Sequence, residues 1–231
     1  MATNLEILAK EYSRSGQPGI ADSLMGLAQI SRQLGIEAFP TGLKTFSDGA
    51  RQALIKDGAV IYPLRGSTIE TQREMQREKG KPSFYYVVNG DERLVGRPSR
   101  LSEVAIYPDP KKFFIPNTGG KDLETQEALA AEDANKLRKR LKQNGMDVVI
   151  PEQAATLTEL TFKHLDETGV WLFGENYDYL FGRTKNPTNE SGSLAAYVGF
   201  ANPDIGLRVV DWDRGDGDGS IRVVRLVVPK D

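Results

Sequence analysis

The spacing of apolar residues changes along the chain, from a helical repeat near the N-terminus to strand-like runs near the C-terminus. In PGIADSLMGLAQISRQLG the apolar residues at helical spacing are Ile20, Leu24, Leu27 and Leu34. The stretch TFSDGARQALIKDG predicts a second helix, which ends at Gly58. We therefore divide the chain near Gly58 into a helical segment, 1–58, and a core, 59–231, which can also pack together as a single domain.

Short apolar runs and helical patterns follow one another in the middle of the chain. AVIYPL, FYYVV, KKFFIP and MDVVIP are typical of strands, because they are short, apolar and bounded by turn residues. LETQEALAAEDANKLRKRLKQNG and TLTELTFKHLDETG have helical spacing instead. The second of these predicts a capping box, in which Thr156 caps the helix and Glu159 reaches back to it.

From Val170 to the end the chain is predicted to form strands only. The runs VWLF, YLFGR, SLAAYVGF, GLRVVDW and SIRVVRLVV are separated by Gly, Asn and Pro. Strands that follow one another without helices between them favour antiparallel pairing. The predicted fold is α+β: a helical N-terminal part followed by a mixed, mainly antiparallel sheet with two to three covering helices.

Composition and charge narrow the range of environments and partners. Hydrophobic residues make up 39% of the 231 residues and charged residues 27%, which is typical of a globular protein. The net charge of −2 disfavours nucleic-acid binding. The apolar runs are too short to cross a bilayer, and the N-terminus has no signal-peptide core. Together with the absence of cysteine, these features predict a cytoplasmic protein with no membrane partner.

The segment DWDRGDGDGS, residues 211–220, combines four aspartates with three glycines. As a hairpin tip it would pair Trp212 with Ile221 and leave its acidic side chains in water, and no cofactor would be needed. The alternative is a hard-cation site for Ca²⁺ or Mg²⁺ formed by Asp211, Asp213, Asp216 and Asp218. No register of the segment fits a calcium loop, and no helix pattern follows the glycines as a dinucleotide loop requires.

A single histidine, His164, limits both catalytic and metal chemistry. It lies on the apolar side of its predicted helix with Leu157 and Leu160, which favours a packed residue over a catalytic base. With one histidine and no cysteine, a zinc site of the usual kind cannot be built from one chain. Any metal site must therefore be rich in oxygen ligands.

Three basic or glycine-containing segments offer anion-binding alternatives. The helix end KLRKRLKQ could contact nucleic acid through Arg138, Lys139, Arg140 and Lys142. Basic residues at the end of a helix also stabilise its dipole, which favours a solvated helix end. RLVGRPSR forms a looser basic cluster that includes Arg100. NTGGKD could bind an anion through its backbone, but we favour an entry loop in which Asp122 caps the next helix.

The segment ENYDYLFGRTKN, residues 175–186, is our predicted contact region for a ligand or a partner. It concentrates aromatic, acidic and basic side chains around one strand, a mixture that suits binding. The residues concerned are Tyr177, Asp178, Tyr179, Arg183 and Lys185. The alternative is a half-buried strand whose tyrosine hydroxyls lie in water.

The sequence favours a non-catalytic protein that acts by binding a ligand or another protein. It contains neither the G-x-S-x-G motif nor a complete phosphate-binding loop. Exposed strand edges would also suit self-association or a protein partner. Two alternatives stay open: an enzyme that uses carboxylates and Mg²⁺, Ca²⁺ or Mn²⁺, and weak nucleic-acid binding through the basic helix end.

Overall fold

A computed structural model of the chain describes residues 42–88, 92–174, 177 and 179–230, together with five residues nearer the N-terminus. The chain divides into two compact units, Met1–Leu43 and Lys44–Asp231. In the first unit the residues described as helical are Gly19, Ile20, Asp22, Ser23 and Met25, which lie in the first predicted helix. The rest of that predicted helix lies outside the described residues.

The second unit begins before the position at which we divided the sequence. Its first helix, α1 (Asp48–Lys56), buries Ala50 and Leu54. These side chains share a hydrophobic cluster with Ala59 and other residues that follow Gly58. The division near Gly58 therefore falls inside the second unit.

Six helices and nine strands occur in the described part of this unit. After α1, the helices are α2 (Ile69–Glu78), α3 (Glu92–Val95), α4 (Pro110–Phe113), α5 (Leu123–Leu141) and α6 (Ala154–Thr168). The strands are β1 (Val60–Pro63), β2 (Phe84–Val87), β3 (Glu103–Ile106), β4 (Met146–Val148), β5 (Phe181–Pro187), β6 (Leu194–Asn202), β7 (Gly206–Asp213), β8 (Ile221–Arg222) and β9 (Val227–Pro229). The α+β class predicted from the sequence is confirmed.

The strands form two sheets where the sequence predicted one. The first sheet has the order β1-β3-β9-β4, and its strand pairs are antiparallel. Its central strand β3 is buried throughout, because Val104 and Ile106 enter one hydrophobic cluster while Ala105 enters another. Side chains of α1 and α5, such as Leu54 and Leu137, share the second cluster with Ala105.

The second sheet is mixed and has the order β2-β7-β6-β5-β8. Its middle strand β6 is antiparallel to both neighbours, β7 and β5, whereas β2 pairs in parallel with β7 and β8 in parallel with β5. Helix α6 connects the two sheets in one core, because Leu157 and Leu160 share a cluster with Val104 of β3 and Val198 of β6. No helix in the described part of the chain has the length and apolar character needed to cross a membrane.

Candidate functional site

The acidic segment is not the tip of a hairpin, so that prediction is wrong. Strand β7 has neighbours on both sides, since it pairs with β6 and with β2. Trp212 lies opposite Ala195, while Ile221 lies opposite Phe181 at the other side of the sheet. Residues 214–220 run beside β5: the Arg214 side chain donates to the backbone oxygen of Lys185, and the Phe181 N–H donates to Ser220 at 2.8 Å.

Arg183 lies beneath this loop and is fully buried. Its Nη1 donates to the Tyr197 hydroxyl at 2.7 Å, and its Nη2 donates to the backbone oxygens of Lys121 and Asp216 at 3.0 and 3.3 Å. The guanidinium carbon lies 4.9 Å from the centre of the Tyr197 ring. Burial lowers the pKa of Arg183. Arg183 therefore holds two loops together and does not reach a ligand on the surface.

The four aspartates of the loop do not converge on one point. Asp213 and Asp216 are exposed, as we predicted for an acidic tip. Asp211 accepts the Thr188 hydroxyl at 2.8 Å, whereas Asp218 accepts the hydroxyl and backbone N–H of Ser220, and these bonds lower the pKa of Asp218. In the described part of the chain, no three His, Asp or Glu side chains are placed to hold a metal ion.

The glycine segment NTGGKD packs against the acidic loop. Asp122 caps α5 by accepting the Thr125 N–H at 2.8 Å. Hydrogen bonds from the side chain and the backbone of Thr125 lower the pKa of Asp122. The N–H groups of Gly120 and Leu123 donate to backbone oxygens of Asp218 and Arg214 at 2.9 and 3.0 Å. The helix-cap interpretation is confirmed, and three of the backbone N–H groups that could bind an anion, those of Gly120, Leu123 and Thr125, already have acceptors.

The predicted contact region, residues 175–186, does not form one surface. Tyr177 is buried and its hydroxyl donates to Pro108 at 2.8 Å; burial raises the pKa of Tyr177 to about 12. Tyr179 is half exposed and Lys185 is half buried, whereas Arg183 is in the interior. Asp178 lies outside the described residues.

The basic end of α5 is partly neutralised by acidic neighbours. Arg138 forms an ion pair with Asp147 at 2.9 Å, and Arg140 forms one with Asp57 at 2.5 Å. Lys139 and Lys142 are exposed. This arrangement supports the solvated helix end over a continuous surface for nucleic acid.

A cleft of about 300 Å³ lies where five parts of the second unit meet. We call it the α6 cleft; its segments are residues 98–100, residues 149–153, the start of α6, and the two single residues Lys185 and Leu226. Its apolar wall is formed by Val149, Ile150, Pro151 and Leu226. Its polar lining includes Arg100, Gln153, Thr156 and Lys185.

The start of α6 differs from the predicted capping box. The helix begins at Ala154, after Gln153, which makes no side-chain capping bond. The N–H of Ala154 is instead accepted by the Asn186 side chain at 3.1 Å. Glu159 is buried and accepts the Arg65 N–H at 2.8 Å and the Ser99 hydroxyl. Tertiary partners therefore move the helix start two residues before Thr156, whose side chain lines the cleft.

Three polar side chains of the cleft have unused hydrogen-bonding capacity. The hydroxyl oxygen of Thr156, a residue 2% exposed, accepts the Arg100 N–H at 3.0 Å, while its hydrogen has no acceptor among the described residues. Within the same part of the chain, the Arg100 side chain makes no ion pair, and its Nε has no hydrogen-bond partner. The buried Gln153 Oε1 likewise has no donor there. Because buried polar groups are nearly always paired, this combination beside an apolar wall makes the α6 cleft our candidate ligand site.

Lys185 lies at the acidic side of the α6 cleft. Its Nζ is 2.6 Å from Glu127 and 3.0 Å from Glu152. Burial acts to lower the pKa of Lys185, but its hydrogen bonds to the two glutamates outweigh burial and raise it. Lys185 therefore keeps its charge, which is already paired with two carboxylates.

His164 is a core residue and lies away from the cleft lining. Its Nδ1 is 2.7 Å from the Tyr62 hydroxyl, so the packed interpretation from the sequence is confirmed. Burial lowers the pKa of His164 and raises that of Tyr62 to about 12.

The buried histidine should make stability depend on pH. Because the folded pKa of His164 lies below its unfolded value of about 6.5, the unfolded state binds the proton more tightly. The contribution of neutral His164 to the free energy of unfolding is then fully present above pH 6.5 and decreases as the pH falls below that value. Between pH 7.5 and 5.5 we expect the free energy of unfolding, measured by urea denaturation, to decrease. A His164→Gln variant should lose most of this pH dependence; an unchanged profile would contradict the assignment.

Comparison of the chain with protein-family models, curated proteins and solved structures finds no match. The site therefore rests on its own geometry. Of the predicted contact residues, Lys185 lines the α6 cleft. Arg100 appeared in the sequence only within a loose basic cluster, and no local pattern connected it to Thr156 or Gln153.

Proposed function

We propose that this protein binds a small organic ligand in the α6 cleft and does not transform it. The observation that carries the proposal is the unused hydrogen-bonding capacity of Arg100, Gln153 and Thr156 beside an apolar wall. Ligand sites in proteins combine an apolar lining with a few such polar groups. A volume of about 300 Å³ corresponds to roughly ten water-sized groups, and thus to a small molecule.

Binding without catalysis is the simplest role for this set of side chains. The only histidine is bonded to Tyr62 in the core, away from the cleft lining. The alternatives from the sequence have less support, because the acidic loop offers no converging ligands and Arg138 and Arg140 have acidic partners. A cytoplasmic location, and a second copy or another protein as partner, stay expectations from the sequence.

The proposal predicts that small aromatic fragments bind in the cleft and perturb its backbone amides. The probes are phenylacetate and phenylacetamide, added to the ¹⁵N-labelled chain at millimolar concentration. We expect NMR shift changes concentrated at Arg100, Ile150 and Gln153, which line the cleft.

Val149→Phe supplies the blocking variant, because Val149 is half buried and forms part of the apolar wall. Pro98→Trp supplies a second one, since Pro98 is exposed at the same cleft and its replacement should leave the core intact. Each variant is first shown to be folded by its thermal melt. Shift changes that are absent, or that are the same in wild type and both variants, would contradict a ligand site here.

A further inference from the structure

The α6 cleft presents more hydrogen-bond donors than acceptors. Arg100 contributes guanidinium N–H groups, Thr156 a hydroxyl and Gln153 an amide, whereas the buried acceptor without a donor is Gln153 Oε1. The Glu152 carboxylate also lines the cleft, but it is largely exposed and is paired with Lys185. A ligand that satisfies these groups must be rich in acceptor atoms.

Arg100 is the cationic group that an anionic ligand could use. The single positive charge of Lys185 faces two carboxylates, those of Glu127 and Glu152, whereas Arg100 has no acidic partner in the described part of the chain. A guanidinium beside an apolar wall binds a carboxylate well, because two parallel hydrogen bonds fit its planar geometry.

From these observations we infer that the ligand is a small apolar monocarboxylate. This inference rests on the proposed function. The carboxylate is bound by Arg100 and the Thr156 hydroxyl, and the apolar part lies against Val149, Ile150 and Leu226. The small volume and the apolar wall disfavour a polyphosphate or a sugar acid.

Glu152 opposes such a ligand. It lines the cleft, is 70% exposed in its side chain and forms part of the charge balance at Lys185. Replacing it with glutamine keeps its shape and removes one negative charge. Carboxylate binding should therefore become tighter in this variant, whereas loss of Arg100 should make it weaker.

Phenylacetate and phenylacetamide provide the test, because they have the same shape and differ in charge. Their dissociation constants are measured by NMR titration. We expect phenylacetate to bind about ten- to one-hundred-fold more tightly, which is the range for a hydrogen bond to a charged group. Arg100→Gln should abolish this difference, and Glu152→Gln should increase it. Arg77→Gln, at an exposed position of α2, is the matched control and should change neither constant.

The outcomes separate this inference from the proposed function. Equal affinities, with both probes located in the cleft, would overturn the carboxylate inference and leave the ligand site intact. The inference would also be overturned if Arg100→Gln kept the preference, or if phenylphosphonate bound more tightly than phenylacetate. Absence of binding by both probes in the cleft would instead overturn the proposed function.

Discussion

Replacing Arg183 with alanine is expected to lower the free energy of unfolding by about 3–5 kcal/mol. Arg183 is the largest fully buried side chain of the described part of the chain, so truncation leaves a large cavity. It also leaves the backbone oxygens of Lys121 and Asp216 and the Tyr197 hydroxyl without the donor that they share. Urea denaturation followed by circular dichroism measures the loss.

The Arg183→Met variant distinguishes the loss of the guanidinium hydrogen bonds from the loss of side-chain volume. Methionine fills most of the space, so the remaining loss, about 2 kcal/mol, reports the unpaired acceptors. Hydrogen exchange of the Gly120 amide, which donates to Asp218 across the two loops, should become faster in both variants. The control is Arg97→Ala at an exposed position, which should change stability by about 0.5 kcal/mol or less. If Arg183→Met were as stable as wild type, the guanidinium would not hold the loops.

Local signals predicted some elements and failed for others. KKFFIP and VWLF were predicted as strands, but the first overlaps helix α4 (Pro110–Phe113) and the second belongs to no named strand. Asp122 caps α5 and Gly169 ends α6 in a left-handed conformation, because both depend on residues close in the sequence. The α+β class could likewise be predicted from the change in the spacing of apolar residues. The start of α6 could not be predicted in this way. The Asn186 side chain accepts the Ala154 N–H, and Glu159 accepts the Arg65 N–H, and both partners lie far away in the chain.

The sheet arrangement depended on information that the sequence pattern does not contain. Trp212 and Ile221 match well across a hairpin, but both sides of β7 are taken by β6 and β2. Parallel pairing of β8 with β5 is a long-range contact that has no turn signal. The contact between Gly120 and Gly217 could not be predicted either, because the two glycines are far apart in the sequence. They lie so close that a Cβ at Gly217 would overlap the Gly120 carbonyl.

The candidate site was predicted only in part, because its residues come from several segments. Lys185 was included for its charge, and it does line the α6 cleft. Arg183 was included for the same reason, although it is buried with carbonyl and hydroxyl partners. Charge alone does not distinguish these two environments, since both residues lie on β5 and differ only in what covers them.

Replacing Gly206 with alanine is expected to lower the free energy of unfolding by about 3 kcal/mol. Gly206 has φ +110°, and a Cβ there would overlap the backbone oxygen of Ser83. This contact lies where the parallel pairing of β2 with β7 begins, because the Leu207 N–H donates to the same oxygen at 2.9 Å. The added methyl group therefore separates β2 from the sheet and frees Phe84, whose ring packs 5.1 Å from that of Phe162.

Gly192→Ala is the matched control for this variant. Gly192 also has a positive φ, +70°, but a Cβ there meets nothing within 4 Å. The free energy of unfolding of Gly192→Ala should therefore decrease only by the cost of the positive φ for alanine, about 1 kcal/mol. The difference between the two variants in urea denaturation measures the overlap with Ser83. If both variants lost the same free energy of unfolding, β2 would be able to move away from the added methyl group. The close contact with Gly206 would then not be what positions β2 beside β7.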